Sequence, residues 1–181
     1  MRWLLNGRPY QETEVAANEI VRLNTTEIWE LANNSTGGMM GMSMVHPIHI
    51  HGLQFQVIER QIASPMTTGY ETVRYGYVDE GWKDTVMMMP GERIRLLLRF
   101  EDFTGMYVYH CHNLEHEDSG MMQNFEVLPP PTLTVRRDST IVTLSWPEAE
   151  QGWRLESSAE TSGAAWDLVA QNPTPVGGRW T

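Results

Sequence analysis

The chain has 181 residues, and 13 basic against 23 acidic side chains leave it at −10 near neutral pH. That balance repels phosphate backbones and no basic stripe interrupts it, so nucleic acid is excluded as a partner. With 41% hydrophobic residues, 15 glycines, 10 prolines and no long apolar run, the composition is that of a folded, turn-rich protein. It excludes collagen-like, coiled-coil, disordered and helical membrane-spanning chains.

The opening residues, Met1-Arg2-Trp3-Leu4-Leu5-Asn6-Gly7, turn polar before an export-signal core could form. One helical turn is expected around Ala16 to Val21. Glu19 to Leu23, Thr26 to Leu31, Leu53 to Ile58, Arg93 to Phe100, Met106 to Tyr109 and Asn124 to Leu128 then read as strands, because most alternate apolar and polar residues between turn-forming ones. A second helical turn is expected after His116. Short strands without long helical periods predict an all-β, Greek-key β-sandwich.

A seam follows at Leu128-Pro129-Pro130-Pro131-Thr132, where three successive prolines remove amide donors and stiffen the chain. It divides residues 1–129 from 130–181. All six histidines and all twelve methionines lie before it, whereas four of the seven tryptophans lie after residue 145. Beyond the prolines, Leu133 to Val135, Ile141 to Trp146, Trp153 to Ser158 and Trp166 to Val169 again read as strands. This stretch resembles the start of a fibronectin type III-like module, at about half the length such a sandwich needs.

The chemistry rests on strand parity. In His46-Pro47-Ile48-His49-Ile50-His51, His49 and His51 share one strand face and His46 takes the other; in His110-Cys111-His112, the two imidazoles share a face and the thiol opposes them. Paired, the two segments present His49, His51, His110 and His112 on one side, and His46 with Cys111 on the other. His116 and Met121 follow Cys111 at five and ten residues. Two imidazoles, one thiolate and a weak thioether are the donor set of a blue-copper electron-transfer site. A single cysteine cannot hold an iron–sulfur cluster, and a thioether adds little for zinc. Met122 is the competing axial residue and is expected in the core.

The segments His46-Pro-Ile-His-Ile-His-Gly52 and His110-Cys-His-Asn-Leu-Glu-His-Glu-Asp-Ser-Gly-Met-Met122 resemble the two copper signatures of the C-terminal cupredoxin domain of multicopper oxidases, a family that includes laccases, bilirubin oxidases and cuprous oxidases. Thr25 to Leu31, Gln54 to Ile58 and Gly81 to Val86 resemble the same domain. The resemblance covers roughly residues 3 to 128 and implies a cupredoxin-like fold. It implies copper as cofactor, with His46, Cys111, His116 and Met121 at a type 1 site, His49 at type 2, and His51, His110 and His112 at type 3. It also implies dioxygen as electron acceptor, and a phenol, an aromatic amine or a metal ion such as Cu(I) as donor. By the same resemblance the parent protein is expected in the periplasm or outside the cell.

The family's trinuclear cluster needs twice as many histidines as this chain can offer it. The rest are therefore expected from an N-terminal cupredoxin domain or another chain, with this sequence a piece of a longer oxidase. Oxygen reduction consumes protons, and Glu117 and Asp118, beside His116, are the candidate relays, although a solvated acidic turn explains the same residues. Met39, Met40, Met42 and Met44, and the run Met87 to Met89, would suit Cu(I) but read more readily as adaptable core and loop packing. Trp82 is expected to be packed at a strand end. The competing functions are a stand-alone type 1 electron carrier, which has no use for histidines flanking Cys111, then a copper nitrite reductase, then a purely structural module.

Overall fold

The computed structural model describes residues 3–34, 44–62, 74–76, 79–147, 155–158, 165–169 and 173–180. The chain separates into two compact units, Met1–Pro129 and Pro130–Thr181. The first contains β1 (Ile20–Arg22), β2 (Thr25–Ala32), β3 (His46–Ile50), β4 (Phe55–Ile62), β5 (Thr85–Met88), β6 (Glu92–Phe100), β7 (Gly105–Cys111), α1 (Leu114–Asp118) and β8 (Met122–Leu128). A 3-10 turn at Ala17–Glu19 precedes β1.

These strands form two sheets, one ordered β1-β8-β7-β3-β5 and one ordered β2-β6-β4. The alternation that marks the strands in sequence decides which face is buried. Along β6, Ile94, Leu96, Leu98 and Phe100 are buried while Arg93, Arg95 and Arg99 are exposed. Those inner residues join Val21, Ile48, Ile50, Phe55, Val86, Met88, Tyr109, Cys111, Phe125 and Val127 in one hydrophobic core. Cys111 is thus a core residue, wholly shielded from solvent.

β3 lies between β7 and β5, antiparallel to both. Across β3 and β7, Ile48 opposes Cys111, His49 opposes His110 and Ile50 opposes Tyr109. This register is pinned because a slip of one residue would turn Ile48, Ile50 and Cys111 outward. At the end of β3 the chain turns through Gly52 at φ +80, where an added Cβ would lie 2.5 Å from the Tyr107 ring. Only glycine fits both the backbone and the contact.

Two features depart from the sequence expectation. The second helical turn spans Leu114–Asp118 and so contains His116 rather than following it. β5 forms where Met87 and Met88 stood out only as a methionine run, with Met88 buried and Met87 exposed by the same alternation. Met39, Met40 and Met42 lie outside the described residues.

The second unit contains β9 (Thr134–Asp138), β10 (Ile141–Pro147), β11 (Glu156–Ser157), β12 (Asp167–Leu168), β13 (Pro175–Val176) and β14 (Arg179–Trp180). They pair as a four-stranded sheet, β13-β14-β10-β9, and a two-stranded one, β11-β12. Trp146 is its buried aromatic residue among those described.

Candidate metal centre

Strand parity separates the titratable side chains into two groups. On the core side of β3 and β7, Cys111 Sγ lies 3.5 Å from Nδ1 of His46 and 3.5 Å from Nδ1 of His116. All three ligand atoms fall within 4.8 Å of one another, and all three residues are buried. His116 arrives from α1. Asn113 begins that helix, its carbonyl accepting the amide protons of His116 and Glu117. Its side-chain amide donates to the carbonyl of Val45, 3.0 Å away, tying α1 to the residue before His46.

The segment from Cys111 to Met121 closes on itself. The Met121 amide donates to the His116 carbonyl and the Cys111 amide to the Met121 carbonyl, while Gly120 turns the chain at φ +84. Met121 is thereby buried beside His46 in the lining of a cleft of about 650 Å³. Met122 instead starts β8, half-buried opposite His110.

Burial sets the protonation of this group. It pushes the Cys111 thiol up, against a hydrogen bond from the Asn113 backbone and with help from the charge of Glu117. It pulls His46 down to about 4, with His116 adding repulsion. The neutral His46 imidazole is ready to coordinate, and the thiol needs a cation to lose its proton. A desolvated thiol, two imidazoles and a nearby thioether suit copper better than a hard ion.

On the other side, four imidazoles gather. Ring centroids lie 4.7 Å apart for His49 and His51, 5.1 Å for His51 and His110, 5.4 Å for His49 and His110, and 5.5 Å for His110 and His112. Nε2 of His51 and Nε2 of His110 approach to 3.1 Å. Neighbouring groups fix which nitrogen is free. His49 Nδ1 donates to the Asp84 carbonyl at 2.8 Å, leaving Nε2 for a metal. His110 Nδ1 lies 3.2 Å from the Cys111 carbonyl and 3.4 Å from Glu117 Oε2, which leaves its Nε2 free as well. Burial lowers the pKa of His51, with His49 and His110 lowering it further, so that it too favours the neutral, ligating form.

Glu117 therefore reaches the four-imidazole side, whereas Asp118 is exposed on α1. Trp82 corrects its sequence reading: it is 49% exposed and lines an open cleft with His49, His51, Asp84 and Arg99. The Arg99 guanidinium sits 5.9 Å from its ring centre.

Three features around the site carry no signal in the spacing of the ligands. Asp84 acts through its carbonyl, which no side-chain pattern encodes. Tyr109 donates its hydroxyl proton to the buried carboxylate of Glu19, 2.6 Å away and 90 residues distant in sequence. The Trp3 ring stacks against His116, with centroids 3.9 Å apart and planes tilted by 32°.

Comparison with known proteins decides the family. The multicopper oxidase family profile matches residues 2–131. The chain belongs to the multicopper oxidase family. A laccase of Haloferax volcanii is 37% identical over 154 residues, which are 84% of this chain and 24% of that protein. A bilirubin oxidase of Albifimbria verrucaria is 35% identical over 70% of this chain and 20% of its own length. Among solved structures, a laccase from Pediococcus acidilactici matches with a TM-score of 0.54 and 35% identity, over 69% of this chain and 24% of that one. A Campylobacter jejuni multicopper oxidase, described as a metallo-oxidase, matches with a TM-score of 0.53 and 32% identity over 70% and 23%. The chain thus spans about a quarter of the length of the relatives it matches. Copper is this family's cofactor, and the donor atoms assembled on β3, β7 and α1 fit it.

Proposed function

We propose that this multicopper oxidase chain contributes a type 1 copper site and half of an oxygen-reducing copper cluster to a laccase-like oxidase. One observation carries the reading. Cys111 meets two imidazoles on the core side of β7, while His110 and His112, its immediate neighbours, meet two more on the other side. When bound, copper supplies one-electron chemistry at the thiolate site and reduction of dioxygen to water at the imidazole site.

The residues divide that work by position. His46, Cys111 and His116, with Met121 as a weak thioether donor beside them, would hold the type 1 ion, and their burial would keep water from it. His49, His51, His110 and His112 hold the cluster side. Peptide bonds join the two sides, since His110 and His112 flank Cys111, and the His110 ring bonds the Cys111 carbonyl. Glu117, beside His110 Nδ1, and Asp118, exposed on α1, are placed to relay protons from solvent toward the side where oxygen reduction consumes them.

The remaining cluster histidines come from an N-terminal cupredoxin domain or another chain. Residues 1–129 are the cupredoxin domain and 130–181 a partial β module. The donor is a phenol, an aromatic amine or a metal ion such as Cu(I), and the parent protein is periplasmic or extracellular. No helix among the described residues is long and apolar enough to cross a membrane. A stand-alone blue-copper carrier is disfavoured because it has no use for four convergent imidazoles.

Copper stoichiometry and oxygen uptake test the reading. Roughly one tightly held copper per purified chain, a blue thiolate band and no oxygen uptake with a phenolic donor are expected, because the chain alone lacks half of the cluster ligands. A full copper complement with oxygen uptake by the chain alone would contradict it.

A further inference from the structure

The cleft beside the type 1 group has a wall that the ligand set does not explain. Its lining includes Trp3, His46 and Met121 but not His116. His116 is only 3% exposed, and the Trp3 indole stacks on its ring at 3.9 Å. The same indole meets His46 edge-on, with centroids 5.8 Å apart. Trp3 is itself half-buried, so one of its sides faces imidazole and the other is open to the cleft.

From this arrangement we propose that Trp3 is a shielding and positioning residue for His116: it separates that imidazole from the cleft, so that a donor entering there meets indole rather than the ligand ring. A flat aromatic wall favours planar donors, which stack on it, over hydrated ions. Trp3 also limits rotation of the His116 ring, whose Nδ1 must keep facing Cys111. The function of the shield rests on the type 1 reading above; the shielding itself does not.

The test separates the two. Diethyl pyrocarbonate modifies accessible neutral imidazoles, and peptide mass spectrometry reads each histidine in the metal-free chain, with exposed His112 as internal reference. His116 is expected to react several-fold faster relative to His112 in Trp3→Ala, and close to the wild-type rate in Trp3→Phe, which keeps a ring in place. In the copper-loaded chain, the thiolate band should shift in Trp3→Ala and return in Trp3→Phe. His116 equally protected in Trp3→Ala and wild type overturns the proposal. Equal acceleration of His116 and of His110, which is buried on the other side of β7, also overturns it, since that marks general loosening. Loss of His116 protection with no thiolate band in any version would uphold the shield and overturn the type 1 reading.

Discussion

His49 and His110 stand directly opposite each other across β3 and β7, and one residue further along the same ladder Ile48 stands opposite Cys111. Neighbouring rungs thus serve different sites, because successive side chains leave a strand on opposite sides. The two groups should therefore fail independently. His49→Ala is expected to keep the blue band and weaken copper binding on the imidazole side. His116→Ala should remove the band and leave imidazole-side binding. Visible absorption, and copper uptake at excess copper where the weaker imidazole side also fills, check this in the two variants, and loss of both properties in both variants would contradict it.

Gly52 ends β3 at φ +80 with the Tyr107 ring against it. Gly52→Ala must strain the backbone and push Tyr107 off Phe125, on which it stacks at 5.4 Å. A loss of about 1–3 kcal/mol is expected, the usual cost of overpacking a filled site. Urea denaturation measures it. An unchanged midpoint would mean that Tyr107 moves freely.

Glu19 links the N-terminal segment to the strand that carries the cysteine. Burial alone would raise its pKa, but hydrogen bonds from Tyr109, Arg8, the Ala16 amide and Asn6 outweigh that and hold it below the usual carboxylate range. A lowered folded-state pKa contributes stability that is present above the unfolded value and is lost as pH falls through the folded one. Glu19→Gln should therefore cost about 2 kcal/mol near neutral pH, on the scale of a hydrogen bond to a charged group. The gap from wild type should narrow in acid below pH ~4. Denaturation midpoints across a pH series give the result, and a gap constant with pH would contradict the assignment.

Arg60 joins β4 to the start of β6 through Glu92, whose side chain is fully buried, and also pairs with Asp79. Arg60→Met would leave the Glu92 carboxylate without its charged partner. Breaking a buried pair from one side costs about 3–5 kcal/mol, so thermal unfolding should drop sharply. Arg60→Met with Glu92→Gln should recover part of that loss.

Much of this was readable from the residues in order. β2, β6 and β8 follow from alternation, and the two-sided placement of the ligands follows from parity once β3 and β7 pair. Alternation could not reveal β5, because Met87 and Met88 look alike in hydropathy although one is exposed and the other buried. Nor could it place α1, whose five residues are too few to show a period. Trp82 reads as packing because it is large and apolar, yet it is exposed next to Arg99. Trp3 on His116 and Tyr109 on Glu19 join residues 113 and 90 positions apart, and only the folded chain brings them together.

On the proposed reading, Cys111, His46 and His116 form a copper–thiolate site. The most direct test is the visible spectrum of the copper-loaded chain beside that of Cys111→Ser. An intense blue band in the wild type that vanishes in Cys111→Ser, with the His49 side still binding copper, is the predicted result. A wild-type chain that takes up copper without that band, or a band that survives in Cys111→Ser, would contradict it.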